Sequence, residues 1–222
     1  MLSIMRMSEL SERSGVTVPT IKFYLREELL TPGERTSPNQ SSYDESHVAR
    51  LKLVRALLEV GGLSVAAVRA VLAAVDDTDM PIDWAFGVAQ HALPGSVPVE
   101  EASEFGTAAI SSILGERGWR ISAENPGRAI AARVLSSFDR LGHPGLVAVL
   151  PEYLRAAEIV AEADLTAVAT VNERADMVET VVVGTVLGDS LFAGLRRIAQ
   201  ERASDVHFPG PDTEDCEPED HA

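Results

Sequence analysis

The chain has 222 residues, 45% of them hydrophobic, which is enough to bury a core and excludes wholesale disorder. Its 19 basic and 34 acidic residues give a net charge of −15, a balance that taken alone argues against nucleic-acid binding. The charge is uneven, because residues 1–72 carry 9 basic and 8 acidic residues whereas residues 73–222 carry 10 and 26. This asymmetry favours nucleic acid as the partner of the first part and another role for the second.

The single cysteine, Cys216, excludes a disulfide framework and any multi-cysteine zinc or iron–sulfur site. No uninterrupted apolar run reaches the roughly 18 residues that span a bilayer, and the N-terminus lacks a signal-peptide pattern. The sequence therefore predicts a cytoplasmic protein with no membrane partner.

The first part of the chain has the pattern of two helices, a loop and two further helices. Gly15 is a helix stop, Thr17 is a helix cap, and Pro19 is tolerated in a first helical turn. Helix, short glycine-containing turn and helix form the helix-turn-helix layout. In chain order the predicted elements are a helix over 6–14, a helix over 17–27, a loop that can hold two short strands over 31–43, and helices over 45–60 and 65–75.

The rest of the chain is helical by pattern. The acidic, proline-containing stretch 76–81 predicts a boundary between domains 1–76 and 77–202. Residues 203–222 carry seven acids, three prolines and no Lys or Arg, which predicts a disordered acidic tail. The β-branched segment 180–183 could form a strand, but its flanks favour a helix. The predicted helices are 82–93, 99–118, 126–141, 145–162 and 164–201, the last with at least one interruption. The predicted fold class is mainly all-α.

The second helix has two different faces. Its aliphatic residues fall on one side of a helical wheel, opposite two cations, an aromatic ring and a proline. Such a helix can lie against a phosphate backbone and a groove. The alternative is a solvated cationic face on which the aromatic ring packs against a neighbour. The aliphatic face is Val18, Ile21 and Leu25, and the other face is Pro19, Lys22, Phe23 and Arg26.

Several short motifs follow one another over residues 4–75. They are Ser14-Gly15-Val16, Thr20-Ile21-Lys22-Phe23-Tyr24, Leu29-Leu30-Thr31-Pro32 followed by Arg35, Tyr43, His47-Val48-x-x-Leu51 and Gly62-Leu63-Ser64. In this order they resemble the winged-helix DNA-binding domain of the MerR family of bacterial transcription regulators. The resemblance implies double-stranded DNA as partner. It covers a third of the chain and says nothing about the remainder.

The resemblance and the helical wheel together define a set of candidate DNA-binding residues. Tyr24 has a competing interpretation as a core-edge tyrosine, Arg35 as a surface loop cation, and the third-helix pair as a solvated face flanked by Glu59. The candidates are Thr17, Pro19, Thr20, Lys22, Phe23, Tyr24 and Arg26 in the second helix, Arg35, Gln40, Ser41, Ser42 and Tyr43 in the wing, and Lys52 and Arg55 in the third helix.

The wing departs from the family pattern. Where family members read G-Y-R-x-Y, this chain reads Asn39-Gln40-Ser41-Ser42-Tyr43, without the arginine and the first tyrosine. The polar side chains can still donate hydrogen bonds to DNA, but they add no charge. We therefore expect a shallower salt dependence than a wing with arginine would give.

The family resemblance also implies a homodimer, since such domains read two half-sites. Family members dimerise through a long helix directly after the fourth helix, but here residues 76–98 are broken by Asp, Pro and Gly. We therefore expect the dimer interface in the body, within the last long helices over about 164–201.

The body is a candidate for binding a small-molecule effector. Five aromatics between residues 84 and 138 could line an apolar pocket, in which Glu104, Glu116 or Asp139 would meet a cationic ligand. Plain core aromatics and solvated carboxylates are the competing interpretation. The five aromatics are Trp84, Phe86, Phe105, Trp119 and Phe138.

Metal sites, cofactors and catalysis have no support in the sequence. Cys216 stands alone, His91, His143 and His207 are scattered, and no nucleotide-binding or hydrolase motif occurs. The predicted function is a sequence-specific DNA-binding transcriptional regulator, a homodimer on an inverted repeat, and not an enzyme. One alternative is a helix-turn-helix-derived protein-interaction module with little DNA binding. A further alternative makes the body a ligand carrier with DNA control attached.

Overall fold

Helices dominate the computed structural model, which describes residues 4–37, 40–94 and 101–208. The mainly all-α class predicted from the sequence is confirmed. The elements are α1 (Met7–Ser14), α2 (Val18–Arg26), β1 (Glu34–Ser37), β2 (Gln40–Ser42), α3 (Glu45–Arg55), α4 (Val65–Asp76), α5 (Ile82–Ala92), α6 (Glu104–Glu116), α7 (Pro126–Arg140), α8 (Pro144–Ala148), α9 (Leu150–Ala169) and α10 (Arg174–His207). A π-helical turn over Ala56–Val60 extends α3.

The turn between α1 and α2 is fixed by short-range hydrogen bonds. Gly15 closes α1 with a left-handed φ of 70°, and its amide donates to the Ser11 carbonyl oxygen at 3.0 Å. The Ser11 hydroxyl donates to the Val16 carbonyl oxygen at 2.7 Å. The Thr17 side chain then caps α2 by accepting from the Thr20 amide at 3.4 Å. These contacts set the angle at which α2 leaves α1.

The wing is a two-stranded antiparallel sheet. Glu34 pairs with Ser42 and Arg35 with Ser41, so the predicted loop does contain two short strands. Residue 33 must be glycine here, because a Cβ would lie 2.3 Å from the Ser42 carbonyl oxygen and 2.8 Å from the Tyr43 ring. Residues 38 and 39, in the connection between the strands, lie outside the described residues.

A capping box starts α3. The Asp44 carboxylate accepts from the Ser46 amide at 3.0 Å and the His47 amide at 3.4 Å, while the Asp44 amide donates to His47 Nδ1 at 3.3 Å. Hydrogen bonds from the Ser46 hydroxyl and the His47 side chain, with a smaller contribution from the His47 amide, lower the pKa of the Asp44 carboxyl to about 2. The start of α3 is thereby fixed directly after the wing.

The core around the helix-turn-helix includes residues from far along the chain. Leu10, Ile21 and Leu57 are fully buried there, and Ala89 of α5 and Val182 of α10 lie in the same cluster. The chain divides into two units, residues 1–187 and 188–222. The domain limit predicted at 76 and 77 stays a prediction, but the apolar core crosses it.

The crossing of α6 and α7 is close. A Cβ on Gly106 would lie 2.1 Å from the Ala132 carbonyl oxygen and 2.3 Å from Ser136 Oγ. The Ser103 amide donates to Ser136 Oγ at 2.9 Å. Ser103 caps α6, so this helix begins five residues later than the predicted 99. A small cluster of Ile110, Ala132 and Leu135 is buried at the crossing.

The last helices differ from the prediction in their limits. The predicted helix 145–162 is a short α8 followed by α9, and the predicted interruption falls at residues 170–173. The β-branched segment 180–183 is helical. The acidic tail predicted from residue 203 is corrected in its first five residues, because α10 continues to His207. Residues 209–222 lie outside the described residues.

Helix α10 combines buried and exposed apolar residues. Among the described residues, it is the one helix long and apolar enough to cross a membrane by length and composition, with a mean hydropathy of 1.5 over an 18-residue window. A core helix passes the same test, and Val178, Val181, Val182 and Val186 of its first half are buried in protein. In the second unit, Leu191, Leu195 and Ile198 are more than half exposed.

Candidate nucleic-acid interface

Helix α2 presents the polar and cationic face that the sequence predicted. Ile21 is fully buried, whereas Pro19, Lys22 and Arg26 are exposed. The Arg26 guanidinium lies 5.8 Å from the centre of the Phe23 ring, a cation–π distance. Phe23 itself is half-buried against the core, as the competing interpretation of the wheel proposed. The exposed face of α2 therefore carries two cations, while Ile21 and Phe23 pack against the core.

Two threonines at the start of α2 hold each other in place. The hydroxyl groups of Thr17 and Thr20 lie 2.8 Å apart. Thr17 is exposed and Thr20 is half-buried. Each hydroxyl keeps capacity for a further hydrogen bond, so the pair can meet a phosphate or a base edge.

The two tyrosines of the candidate set are buried. Tyr24 is 6% exposed and Tyr43 is 4% exposed. Burial raises the pKa of the Tyr24 phenol, and the Glu59 carboxylate adds to this while Arg55 opposes it. Burial also raises the pKa of the Tyr43 phenol, and a hydrogen bond with the Ser41 side chain partly offsets this by lowering it. Both residues lie in the apolar core, and their DNA-binding role stays a prediction.

The wing carries one cation among its candidate residues. Arg35 is exposed on β1, directly opposite Ser41 of β2. Gln40 is exposed, and the Ser42 hydroxyl donates to the Glu34 carbonyl oxygen at 3.3 Å. The wing can therefore contribute a single charge and a few hydrogen bonds.

The end of α3 contributes two further cations. Lys52 is exposed. Arg55 donates from Nε to Glu59 Oε2 at 2.8 Å. Glu59, which the sequence placed beside the third-helix cations, therefore forms an ion pair with Arg55. Its Nη1 atom lies 3.6 Å from the position of a Cβ at Gly15, which places the guanidinium beside the α1–α2 turn.

Ion pairs neutralise some cations of residues 4–76 but not most of the candidate set. Arg13 pairs with Glu45, Arg50 pairs with Asp76, and Arg69 pairs with Glu27. Within the described ranges, no carboxylate is paired with four of the five candidate cations. The four are Lys22, Arg26, Arg35 and Lys52.

Sequence reasoning missed the residue that anchors the end of α2. Arg69 of α4 donates from Nε to the Glu27 carbonyl oxygen and from Nη2 to Glu27 Oε2, both at 2.9 Å. Glu28, which follows, has a left-handed φ of 59°. No local pattern announces a contact between residues 42 positions apart.

The five body aromatics do not come together as predicted. Phe86 packs against a cluster with Ala85 and Val168, while Phe138 packs against the separate cluster at the α6–α7 crossing. Trp84 and Phe105 are exposed. Effector binding by the aromatics stays a prediction without a common pocket in the described residues.

A cavity of about 410 Å³ lies between α6 and α7 instead. Its volume falls within the range of small-molecule sites. The lining is largely apolar and also contains hydroxyl, carboxylate and guanidinium groups. Its residues are Glu101, Ala102, Thr107, Ile110, Ser111, Ala123, Arg128, Ala129, Ala132 and Arg133.

The fold and the exposed cations define a winged helix-turn-helix domain of the DNA-binding class. Residues 5–75 match the family described as MerR HTH family regulatory protein. Residues 5–75 therefore form a helix-turn-helix domain of the MerR family, and the resemblance read from the sequence is confirmed over this region.

Three curated relatives match this domain. Nodulation protein NolA of Bradyrhizobium elkanii is 43% identical over 56 residues, 25% of this chain and 26% of that protein. The HTH-type transcriptional regulator CueR of Yersinia pestis is 35% identical over 57 residues, which is 26% of this chain and 41% of that protein. The ZntR homolog of Haemophilus influenzae, also an HTH-type transcriptional regulator, is 38% identical over 50 residues, which is 22% of this chain and 37% of that protein. The chain thus spans well under half the length of these relatives.

One solved structure extends the similarity beyond the first domain. The crystal structure of SCO5550 from Streptomyces coelicolor A3(2), a protein assigned as a transcriptional regulator, has 33% sequence identity and a TM-score of 0.68. The match covers 94% of this chain and 100% of that one. The similarity therefore extends over the body as well as over residues 5–75.

Proposed function

We propose that the protein is a sequence-specific regulator of transcription that acts in the bacterial cytoplasm. It binds an inverted repeat in double-stranded DNA as a homodimer, with α2 in the major groove and the wing against the backbone. The observation that carries the proposal is the exposed cationic face formed by α2, the wing and α3, in a chain whose other part is strongly acidic.

The unpaired cations set the expected strength of phosphate binding. Each phosphate neutralised contributes a slope of about −0.9 to the dependence of log K on log salt. Four cations per head, in two heads, predict a slope of about −7 for the dimer. The acidic body, residues 73–222, contributes none of these four cations, and its net negative charge repels DNA. Binding is therefore restricted to the N-terminal domains of the dimer.

The first experiment is selection of bound duplexes from a random pool with the full chain at two salt concentrations. Enrichment of an inverted repeat supports the proposal, and the repeat spacing gives the distance between the two heads. Recovery of no motif at either salt favours the protein-interaction module. The pairing of Arg55 with Glu59 and the arginine-free sequence of residues 39–43 are the observations on the side of that alternative.

Substitution tests the contact set directly. Lys22→Ala combined with Arg35→Ala is expected to weaken binding by about two orders of magnitude at low salt while the melting temperature stays unchanged. Arg120→Ala combined with Arg202→Ala removes the same charge from exposed positions in the body where no described carboxylate pairs with either arginine, and is the matched control. Equal weakening by both double variants contradicts the assignment of the interface.

For the homodimer we propose an interface on the second half of α10. Leu191, Leu195 and Ile198 recur at helical spacing there and are more than half exposed. Leu195→Glu is expected to give a monomer by light scattering. Gln200→Glu adds the same charge on another face of the helix and is expected to leave the dimer intact. A dimer in both variants, or a monomeric wild-type chain, refutes this interface.

For the effector we propose the cavity between α6 and α7 in place of the five aromatics. Ile110, Ala129 and Ala132 supply apolar lining, and Thr107, Ser111 and Arg128 supply polar groups. A ligand that binds the folded state raises the unfolding temperature. A panel of small amphipathic acids and amines is screened by thermal unfolding, and Ile110→Trp, which fills the cavity, is expected to abolish any stabilisation found. Stabilisation that survives in Ile110→Trp places the ligand elsewhere.

A further inference from the structure

Arg55 differs from the other candidate phosphate-binding cations in having a carboxylate partner. Its Nε atom lies 2.8 Å from Glu59 Oε2, an ion pair one helical turn apart. No described carboxylate pairs with the remaining candidates of α2, the wing and α3. A phosphate that binds Arg55 must therefore displace or accommodate a negative charge that the chain itself supplies.

The position of this pair is at the predicted DNA-facing surface. The Nη1 atom of Arg55 lies beside Gly15, in the turn that leads into α2. The charges of both Arg55 and Glu59 act on the phenol of Tyr24, a buried residue in the last turn of α2. The pair therefore lies beside the helix-turn-helix, where the Glu59 carboxylate opposes a phosphate that approaches Arg55.

Glu59 is held by a distinctive local backbone. It lies in the π-helical turn over Ala56–Val60, closed by a hydrogen bond from the Gly61 amide to the Ala56 carbonyl oxygen at 3.0 Å. A Cβ at Gly61 would lie 2.4 Å from Val186 of α10, so the turn is packed against the body. The backbone that carries Glu59 is therefore fixed, and the ion pair with Arg55 orients its exposed side chain.

We propose that Glu59 competes with DNA phosphate for Arg55 and so sets the affinity of the head for DNA. In the free protein the ion pair occupies the guanidinium. Binding of DNA exchanges that partner for a phosphate and leaves the carboxylate near the polyanion. This inference rests on the proposed DNA-binding function. The candidate cations strengthen DNA binding, whereas Glu59 weakens it.

The expected effect is moderate because both side chains are about half exposed. Replacement of Glu59 by glutamine releases Arg55 and removes a repulsive charge, which predicts affinity higher by about two- to fivefold at low salt. A released cation that contacts one more phosphate makes the salt slope steeper by up to about 0.9 per head.

The test is a double-mutant cycle of Glu59→Gln and Arg55→Gln in the full chain. Binding to a fluorescein-labelled duplex of mixed sequence is followed by anisotropy at several salt concentrations, because phosphate contacts carry no sequence information. Thermal unfolding of each variant verifies the fold. Glu12→Gln, on exposed α1, removes the same charge without releasing a described cation and is the control.

Tighter binding of Glu59→Gln in the wild-type background, with less than about twofold change in the Arg55→Gln background, supports competition for Arg55. Equal tightening in both backgrounds, or in the control, overturns it, since Glu59 would then act as bulk charge. An unchanged affinity in Glu59→Gln overturns it as well. A wild-type chain that binds no duplex at any salt refutes the proposed function, an outcome distinct from wild-type binding that Glu59→Gln leaves unaltered.

Discussion

The N-terminal domain depends for its stability on two valines more than a hundred residues away. Val182 and Val186 of α10 are at most 1% exposed, in the same apolar cluster as Leu10, Ile21 and Leu57. Val→Ala removes about two methylene equivalents, each contributing about 0.8 kcal/mol, and leaves a cavity beside Gly61. We expect Val186→Ala to lower the free energy of unfolding by about 2–3 kcal/mol.

The assay is urea denaturation of the full chain, combined with hydrogen exchange of the amides in α1 to α3. A loss of about 2–3 kcal/mol lowers the melting temperature by roughly 4–12 °C in a chain of this size. Val206→Ala makes the same chemical change at an exposed position of the same helix and is expected to stay within about 0.5 kcal/mol of wild type. Equal stability of the two variants, or faster exchange in α10 alone, refutes the shared core.

Two further predictions concern local structure. Gly106→Ala is expected to destabilise the chain by about 2 kcal/mol or more, because its Cβ would lie 2.1 Å from the Ala132 carbonyl oxygen. Gly115 of the same helix has open space around the position of a Cβ. Gly115→Ala is therefore expected to stabilise the chain by about 0.5–1 kcal/mol in the same denaturation assay. Asp44→Ala removes the cap of α3 and is expected to cost about 1 kcal/mol. Because the folded-state pKa of Asp44 is depressed to about 2, its contribution is complete above the unfolded value near 3.8 and is lost as pH falls through about 2. A pH titration of stability in Asp44→Asn that keeps the wild-type slope over this range contradicts the assignment.

Local signals are what made the first domain predictable. A glycine at the end of α1, a threonine cap before α2 and an aspartate before α3 each act within four residues, and each element begins or ends within a few residues of its predicted limit. The wing followed the same logic, since two prolines, Gly33 and several Ser, Thr and Asn residues indicate a loop that can hold short strands. The polar face of α2 was readable because helical periodicity sets it, whereas DNA binding was inferred from the resemblance of the motifs to a known family.

Contacts between distant residues were not readable in this way. The bond of Arg69 to Glu27 and the packing of Val186 on Gly61 depend on how helices dock, which periodicity does not specify. The body aromatics show the same limit. Residues close in sequence were expected to share a pocket, yet Phe86 and Phe138 pack in different clusters and Trp84 faces solvent.

The shared core constrains how DNA binding can be altered. On charge alone, removal of the acidic body favours binding, since residues 73–222 carry a net charge of −16 against +1 for residues 1–72. The same cut removes α5 and α10, whose Ala89, Val182 and Val186 complete the core beneath α2. The isolated head would lose stability comparable to the whole margin of a small domain. Affinity is therefore better adjusted through single charges on the exposed face, such as the Glu59 carboxylate that pairs with Arg55.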